Sequence, residues 1–471
     1  MNKIAFVNPF LSTKDRYGIK SQGGGQTPPL GLANLAAMTR KHGFETAIID
    51  ASALKMDAEE VANKVKFGRF DYVGITAVTI SIEQAAEVAR QVKTMCPEVT
   101  TILGGPHMSA TPEETMSKYR EFDIGVVGEG DYTIIDLLQR LETGKTVEDI
   151  PGLIVRNNGS LIDTGKRPRI ENLDDLPPPA FDLLPSLAKH YCPPVHTVKR
   201  LPGALLVASR GCPGQCIFCD RSVFGNKFRA YSADYTFELI KDLHDNYGIR
   251  EIQLRDDNFT ASHSRILGLC DKLDEADFKI SWTCAGRVDM VNPSILKAMK
   301  EAGCWQIWYG IESGSQAVLD AIKKRTTIAQ IKKAIRMTKD AGISPCGFFI
   351  IGNPGETKES LEATKNFALR LPLDEVHFCF MTPFPGSELY ERVEEFGSFE
   401  NDWSNLTCWS PLFFPKGLTV EDLESCSKKA FRQFYFRPRI VFSYLKKIRS
   451  WRHLKIYFHG FVALLEWLRK R

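Results

Sequence analysis

Residues 209–220 read SRGCPGQCIFCD and place three cysteines, Cys212, Cys216 and Cys219, within eight positions. Two cysteines suggest a disulfide and four suggest a structural zinc site, so three are unusual for either. Three thiolates can hold three irons of a [4Fe–4S] cluster and leave the fourth iron open to another ligand. The alternative is a zinc site completed by a distant His or Cys, although the two-residue gap typical of zinc ligation occurs only once here.

This stretch follows a buried strand that opens a series of six strand–helix units. The strand segments are ALLVAS, EIQLRDDN, SWTCAGR, CWQIWYGIES, CGFFIIG and EVHFCFMTP. Six such units predict a partial (β/α)6 barrel over residues 197–395, with its active site at the carboxyl ends of the strands. The polar residues of the segments fall at those ends.

The first 140 residues form an earlier series of the same kind. Its strand segments are KIAFVNP, TAIID, YVGITAVT, TTILGGP and IGVVGEG, separated by amphipathic helices. This alternation predicts an α/β, doubly wound, Rossmann-like domain over residues 1–140, whose ligands bind beyond the carboxyl ends of the strands. Another nucleotide is an alternative ligand, because the fold alone does not set function.

Two further regions complete the chain. Residues 141–196 read as a connector with a hairpin signal at Asn158-Gly159 and a proline-rich crossing. Residues 396–471 are predicted to form a basic, mainly helical extension. Residues 427–471 hold thirteen Lys and Arg against one acidic residue, Glu466, whereas the whole chain carries a net charge of only +4.

The composition predicts a multidomain cytosolic protein. The chain has 471 residues, 43% of them hydrophobic, and it has no apolar run long enough to span a bilayer. The N-terminal MNKIAFVNPF lacks the apolar stretch of a signal peptide and reads as a buried strand. The nine cysteines outside the 209–220 stretch are scattered, and in a reducing cytosol such thiols mostly pack as small apolar side chains.

The pattern Cys-x3-Cys-x-Phe-Cys, with Phe218 before Cys219, resembles the radical S-adenosylmethionine (SAM) superfamily. The resemblance covers roughly residues 200–390. It implies that SAM chelates the open iron and that an electron from the cluster cleaves SAM to methionine and a 5′-deoxyadenosyl radical.

Several motifs at successive strand ends are candidates for binding SAM. Carboxylates and amides there can receive ammonium groups or hydroxyls, an arginine can pair with a carboxylate, and glycines allow close approach to an adenine. Singly, each motif is more often a turn or a solvated loop end, but together and in order they favour the functional interpretation. The candidates are Phe218, Asp256, Asp257, Asn258, Arg287, Glu312, Ser313, Gly352 and Pro354.

The N-terminal domain resembles the cobalamin-binding domain that precedes the barrel in one branch of this superfamily. The resemblance implies the following cobalamin-binding residues: Asn8, Thr76, Thr79, Ser81, Gly104, Gly105, His107, Gly128 and Glu129. One departure is that no His follows Asp50, where many cobalamin proteins carry Asp-x-His-x-x-Gly with a cobalt-ligating His. His107 is the histidine within the candidate loops, and a hydrogen-bonded loop residue is the favoured interpretation of it.

The resemblance implies a cobalamin-dependent radical SAM enzyme that methylates an unactivated carbon or phosphorus centre, with a second SAM remethylating cobalt. The alternatives are a radical cyclisation, ring contraction or oxidation, and, from another class, a non-catalytic sensor of cobalamin or of the Fe–S cluster. A methylthiotransferase is disfavoured because its first domain holds three cluster cysteines, and here only Cys96 is present.

The basic C-terminus has two interpretations, as an interfacial membrane helix or as a helical subdomain packed on the barrel. Apolar residues recur at helical spacing, as in Val441, Leu445, Ile448 and Trp451. Membrane contact would place the protein at the inner face of the membrane and favour a lipid-like or isoprenoid-derived substrate. No motif predicts nucleic-acid binding, and the resemblance implies a flavodoxin- or ferredoxin-type electron donor.

Overall fold

The computed structural model describes residues 2–18, 24–191, 193 and 197–447, so the end of the basic tail, from residue 448, lies outside it. The first domain is built on one seven-stranded sheet. Its strands are β1 (Lys3–Asn8), β2 (Glu45–Asp50), β3 (Tyr72–Thr76), β4 (Thr100–Gly104), β5 (Ile124–Val126), β6 (Leu153–Asn157) and β7 (Ser160–Asp163).

The sheet has the order β2-β1-β3-β4-β5-β6-β7, in which the first five strands are parallel and the last two are antiparallel. β6 and β7 form the hairpin predicted at Asn158-Gly159, where both residues have positive φ. This hairpin pairs with β5, so the first sheet extends beyond residue 140 to Asp163.

Helices cover both faces of this sheet, which confirms the doubly wound prediction. They are α1 (Thr13–Tyr17), α2 (Leu30–Lys41), α3 (Ala51–Leu54), α4 (Ala58–Gly68), α5 (Ile82–Met95), α6 (Pro106–Ala110), α7 (Pro112–Lys118) and α8 (Gly130–Glu142). Alternate side chains of β1 enter separate cores, with Ile4 and Phe6 in one and Ala5 and Val7 in the other. That separation follows from the two-residue repeat of a strand.

The second domain is the predicted partial barrel. Its strands are β8 (Gly203–Leu206), β9 (Ser209–Arg210), β10 (Arg229–Ala230), β11 (Glu251–Leu254), β12 (Ser281–Gly286), β13 (Cys304–Glu312), β14 (Ser344–Ile351) and β15 (Glu375–Phe380). Six of them form a parallel sheet in the order β15-β14-β13-β12-β11-β8, and β9 pairs with β10 separately. The helices are α9 (Leu187–His190) in the connector and then α10 (Ala233–Tyr247), α11 (His263–Glu275), α12 (Pro293–Glu301), α13 (Gln316–Ala321), α14 (Ile328–Asp340) and α15 (Lys358–Arg370).

Two short helices follow β15, and the C-terminal extension from residue 396 adds a small sheet and two longer helices. The elements are α16 (Glu388–Glu391), α17 (Val393–Phe396), β16 (Gly397–Phe399), β17 (Phe413–Pro415), α18 (Val420–Tyr435) and α19 (Pro438–Lys447). A capping box between Thr419 and Asp422 begins α18, whose Leu423 and Phe434 are buried in the barrel core. None of the described helices has the length and apolarity needed to cross a membrane.

Candidate active site

The cysteine loop (residues 211–228) leaves β9 and returns through β10, so that strand pair holds its two ends together. Gly211 has a φ of +80°, and a Cβ there would lie 2.4 Å from the Lys227 carbonyl oxygen, so the turn requires glycine. Cys216 is buried and Cys219 is exposed. The hydrogen bond between their thiols lowers the pKa of Cys216 and raises that of Cys219, so the loop favours a thiolate at Cys216 over one at Cys219.

The space over Gly214 fits an iron–sulfur cluster. A Cβ at Gly214 would lie 3.3 Å from the Sγ of Cys212 and 4.0 Å from the Sγ of Cys216, so both sulfurs border the room that this glycine leaves open. Among the described residues, the group whose ligand atoms all lie within 4.8 Å of one another is Cys346, Glu375 and His377 in the barrel, and not the three loop cysteines. Phe218 packs beside an apolar group formed by Ile217, Ile322, Met381, Leu389 and Phe413.

Asp256 and Asp257 support the backbone that leads into the cysteine loop. Asp256 is 3% exposed and accepts hydrogen bonds from the Ala208 N–H (2.8 Å) and the Ser209 hydroxyl (2.5 Å). Asp257 is exposed and accepts from the Gly211 N–H at 2.9 Å. The structure thus shows an internal role for Asp256, and a direct contact with SAM stays a prediction for Asp257.

Asn258 and Ser313 are fully buried, each at 0% exposure. The Asn258 amide nitrogen lies 3.0 Å from the Met290 sulfur, and the Ser313 hydroxyl lies 3.0 Å from the Thr364 hydroxyl. Both side chains therefore make internal contacts, and their direct contact with SAM stays a prediction.

Arg287 and Glu312 are brought together beside the cysteine loop. The Nη1 of Arg287 would lie 3.4 Å from a Cβ at Gly214, and its Nη2 donates to the Lys324 carbonyl oxygen at 3.1 Å. The Nζ of Lys324 donates to Glu312 at 2.6 Å in a buried ion pair. A Cβ at Gly310 would lie 2.3 Å from that carboxylate, so the absence of a side chain makes room for the pair. The group offers both charges to a zwitterionic ligand such as SAM.

The loop after β14 contains buried acceptors without partners. Oε2 of Glu356 accepts from the N–H groups of Gly352 (2.6 Å) and Asn353 (2.9 Å). Within the described chain, no group donates to Oε1 of Glu356 or to Oδ1 of Asn353. Burial raises the pKa of Glu356 to about 7. Pro354 is buried in the same loop, and its predicted contact with adenine stays a prediction, as does that of Gly352.

The carboxyl edge of the first sheet gathers most of the predicted cobalamin residues. They lie at the ends of β1, β3, β4 and β5 or in the loops that follow, and they are Asn8, Thr76, Thr79, Ser81, Gly104, Gly105 and Gly128. Apolar side chains stand exposed at the same edge, with Phe10 at 38%, Leu54 at 37% and Val78 at 44%. Gly128 faces open space, since a Cβ there would meet nothing within 4 Å. An apolar border beside open backbone fits the face of a large, flat ring such as a corrin.

Asp50 is enclosed where a cobalt-ligating motif would otherwise begin. Its carboxylate is 0% exposed and accepts from the Asn8 amide at 2.8 Å and the Tyr191 hydroxyl at 2.7 Å. The connector residue Tyr191 therefore covers this carboxylate, in keeping with the missing His after Asp50.

His107 is a buried structural residue. It is 0% exposed, and its ring nitrogens lie 3.2 Å from the hydroxyls of Thr79 and Thr115. Trp403 of the C-terminal extension packs edge-on against it at 4.5 Å. Burial lowers the pKa of His107 to about 4. Both nitrogens are engaged, so the ring is not available to cobalt in this arrangement.

Buried ion pairs join the two domains at the cysteine loop. Arg210 contacts Asp131 at 2.8 Å and Glu129 at 3.1 Å, and Arg229 contacts Glu129 at 2.8 Å. The N–H of Ile170 in the connector also donates to Glu129, at 2.9 Å. These interdomain ion pairs occupy the Glu129 carboxylate, so its predicted cobalamin contact stays a prediction while its interdomain role is evident.

The family models match both domains in the order found here. A B12 binding domain matches residues 18–138 and the Radical SAM superfamily matches residues 206–368. A protein named as an uncharacterized methyltransferase in Pyrococcus horikoshii is 37% identical over 425 residues, covering 90% of this chain and 91% of that one. The chain belongs to the cobalamin-binding radical SAM family.

This family assignment extends to more distant relatives. An anaerobic magnesium-protoporphyrin IX monomethyl ester cyclase of Cereibacter sphaeroides is 27% identical and covers 93% of this chain and 71% of its own. The solved structure of the cobalamin-dependent SAM radical enzyme OxsB, with aqua-cobalamin and SAM bound, has a TM-score of 0.76 at 18% identity and covers 99% of this chain and 72% of that one. The chain is thus a radical SAM enzyme whose cofactors are cobalamin, a [4Fe–4S] cluster and SAM.

Several residues of this radical SAM enzyme's site escaped the sequence reasoning. They are Phe10, Val78, Asp131, Arg210, Arg229, Gly310 and Lys324. Phe10 and Asp131 had a detectable signal, because each directly follows a predicted strand segment. Lys324 follows another lysine in an ordinary basic stretch, and nothing local marks it.

Proposed function

We propose that this enzyme transfers a methyl group to an unactivated carbon or phosphorus centre of a small-molecule substrate. The observation that carries the proposal is the set of interdomain ion pairs. Arg210 stands two residues before Cys212 and contacts the loop that follows β5 of the cobalamin-binding domain. The cluster site and the candidate cobalamin edge therefore border one space between the domains, as transfer to a shared substrate requires.

The chain's own residues would hold the cofactors around that space. Cys212, Cys216 and Cys219 would hold the cluster, and Arg287 with the Glu312–Lys324 pair would receive the charges of SAM. When bound, cluster and SAM supply a 5′-deoxyadenosyl radical for hydrogen removal, and methylcobalamin supplies the methyl group. The protein contributes position and electrostatics, and a flavodoxin- or ferredoxin-type protein would supply electrons.

Product analysis separates methylation from the other radical outcomes. The anaerobically reconstituted protein would be given reduced flavodoxin, SAM with a deuterated methyl group and a small-molecule cell extract. Methylation predicts both 5′-deoxyadenosine and S-adenosylhomocysteine, together with a deuterated methyl group in a product. Release of 5′-deoxyadenosine with neither of the other two would contradict methyl transfer and favour cyclisation or oxidation, the class named for the Cereibacter relative.

The cofactor assignment is tested by Cys216→Ala. Wild type should show absorbance bands of both cluster and corrinoid, whereas the variant should keep the corrinoid bands alone. Cys270→Ala is the matched control, because Cys270 is buried in α11 away from the loop and should leave both sets of bands. Loss of corrinoid in Cys216→Ala, or retention of the cluster, would contradict the assignment.

We also propose that the C-terminal extension contacts anionic membranes, which would favour a lipid-like or isoprenoid-derived substrate. In α19, Ile440 is buried, while Val441 and Phe442 are 43% and 63% exposed. Cationic residues of the tail beside an apolar face suit an anionic interface. The full chain should sediment with phosphatidylglycerol vesicles more than with phosphatidylcholine vesicles. Phe442→Ser should lower the fraction that sediments with phosphatidylglycerol more than Phe67→Ser does, since Phe67 is an exposed residue of the remote helix α4. Equal sedimentation of both variants would contradict the contact.

A further inference from the structure

Arg255 lies inside the barrel at the carboxyl end of β11. Ile252 and Leu254 of that strand are buried in the core shared with the helices, so Gln253 and Arg255 face the opposite way. The guanidinium carbon of Arg255 lies 3.5 Å from the ring centre of Trp308 on β13, although β12 separates the two strands. Side chains that meet across an intervening strand lie on the concave side of the sheet, which is the barrel lumen.

Aromatic rings continue from Arg255 along this lumen. Trp308 lies 5.8 Å from Phe348 on β14, and Phe348 stacks on His377 of β15 at 4.6 Å. Polar side chains form the layer beneath, where Gln306 donates to Glu375 at 3.0 Å. The lumen therefore offers flat apolar surfaces next to a cation.

The guanidinium of Arg255 makes few contacts of its own. The buried arginines Arg210 and Arg265 pair with carboxylates. The half-buried Arg156 and Arg437 donate to backbone carbonyls. In the described parts of the chain, Arg255 has no carboxylate partner, and its one side-chain acceptor is Gln253 Oε1 at 2.7 Å. A guanidinium carries five N–H donors, so several remain for a ligand.

The position of Arg255 links the lumen to the cofactor sites. Asp257, two residues further on, accepts from the N–H of Gly211 in the cysteine loop. Tyr17 of the first domain lies close enough to Arg255 to interact with it electrostatically. A ligand held by Arg255 would thus lie next to the cluster loop and under the first domain.

We propose that Arg255, with Trp308 and Phe348, forms a subsite for the oxyanion of the substrate, a carboxylate or phosphate group carried on a flat apolar body. Stacking on Trp308 fixes the plane of the guanidinium, which then presents its remaining donors as a fork. This inference rests on the proposed function, because it assigns a substrate class to the same site.

The test measures binding, which needs no turnover. Benzoate, phenylphosphonate and the neutral benzamide would be titrated by calorimetry into the anaerobically reconstituted full-length protein, and SAM would be titrated separately. At least one anion should bind wild type about tenfold or more tightly than benzamide. Arg255→Met should remove that preference, and Arg255→Lys should keep part of it. Arg336→Met, at an exposed position of α14, should behave as wild type.

The SAM titration identifies the source of the oxyanion. Unchanged SAM affinity in Arg255→Met, with the anion preference lost, supports a substrate subsite. A loss of SAM affinity by the same factor would assign Arg255 to the SAM carboxylate and overturn the proposal. Equal binding of charged and neutral probes to wild type, or no binding, would also overturn it. If the proposed methyl transfer is wrong, the product analysis will lack S-adenosylhomocysteine, while the preference for anions over benzamide in the binding titrations will be unchanged.

Discussion

Lys323 and Lys324 are neighbours in sequence, yet they make different kinds of contact. Lys323 pairs with Glu388 at 2.7 Å with 46% of its side chain exposed, whereas Lys324 pairs with Glu312 at 2.6 Å with 8% exposed. Exposed pairs contribute about 1 kcal/mol or less, while breaking a buried pair costs about 3–5 kcal/mol. The direction of each side chain, which is set by tertiary packing, decides which lysine belongs to the site.

Gly310→Ala should disrupt the buried pair without removing either charge. The new Cβ would lie 2.3 Å from the Glu312 carboxylate and 2.8 Å from Lys324 Nζ, so the pair must shift at a cost of about 1–3 kcal/mol. Thermal unfolding should show a lower Tm. Gly31→Ala in α2 meets nothing within 4 Å and should leave the Tm unchanged or raise it. Equal Tm shifts for the two variants would contradict the crowding.

Glu356 predicts a pH-dependent stability. Burial raises its pKa from 4.5 to about 7, so protonation favours the folded state. The stabilisation of the folded state by protonated Glu356 is fully present below pH 4.5 and is lost as the pH rises through about 7. Compared with Glu356→Gln, wild type should lose about 2.5 kcal/mol of unfolding free energy between pH 5 and 8. Urea midpoints of both proteins across this range measure the difference, and a constant gap would contradict it.

At the scale of elements, sequence patterns located the strands and the cysteine loop because both signals are local. The three cysteines and the two-residue repeat of buried strands need no distant partner. The same patterns did not show the contacts of Asn258 with Met290 or of Ser313 with Thr364, because a strand end fixes where a residue lies but not where its side chain points. The pairing of Arg210 with Asp131 joins segments 79 positions apart. No local pattern encodes such a pairing.

The interdomain ion pairs should be more sensitive to mutation than a surface pair between the first domain and the connector. Arg210→Met leaves Asp131 buried without its partner. The variant should lose about 3–5 kcal/mol of unfolding free energy, and its cysteine loop should retain less iron. Arg40→Met removes an exposed pair with Asp182 and should cost about 1 kcal/mol or less. Chemical denaturation and iron content measure both effects. Full iron retention in Arg210→Met would contradict the supporting role of the pair.

At the scale of the whole molecule, the C-terminal extension returns to the first domain before it packs on the barrel. Trp403 is 7% exposed and contacts His107, and Lys118 Nζ lies 5.0 Å from its ring. The chain then continues into α18 on the barrel surface. The extension therefore joins the two domains a second time, in addition to the connector.

Trp403→Ala should loosen this second junction. Removing a buried indole costs about 3–5 kcal/mol of unfolding free energy. In this variant it also removes the contact between Trp403 and His107 of α6. Hydrogen exchange of Pro106–Ala110 should quicken in the variant, while Phe67→Ala, at a side chain 83% exposed, should leave it unchanged. Unaltered exchange in Trp403→Ala would show that α6 is held by the first domain alone.

The interdomain ion pairs also bear on the order in which the protein matures on the ribosome. The first sheet is complete once Asp163 has emerged, whereas Arg210 and Arg229, which neutralise Glu129 and Asp131, are synthesised later. Until then the nascent domain carries two unpaired carboxylates beside the edge assigned to cobalamin. Domains fold from the N-terminus as they are made, so that edge reaches its final charge balance only when the cysteine loop has been translated.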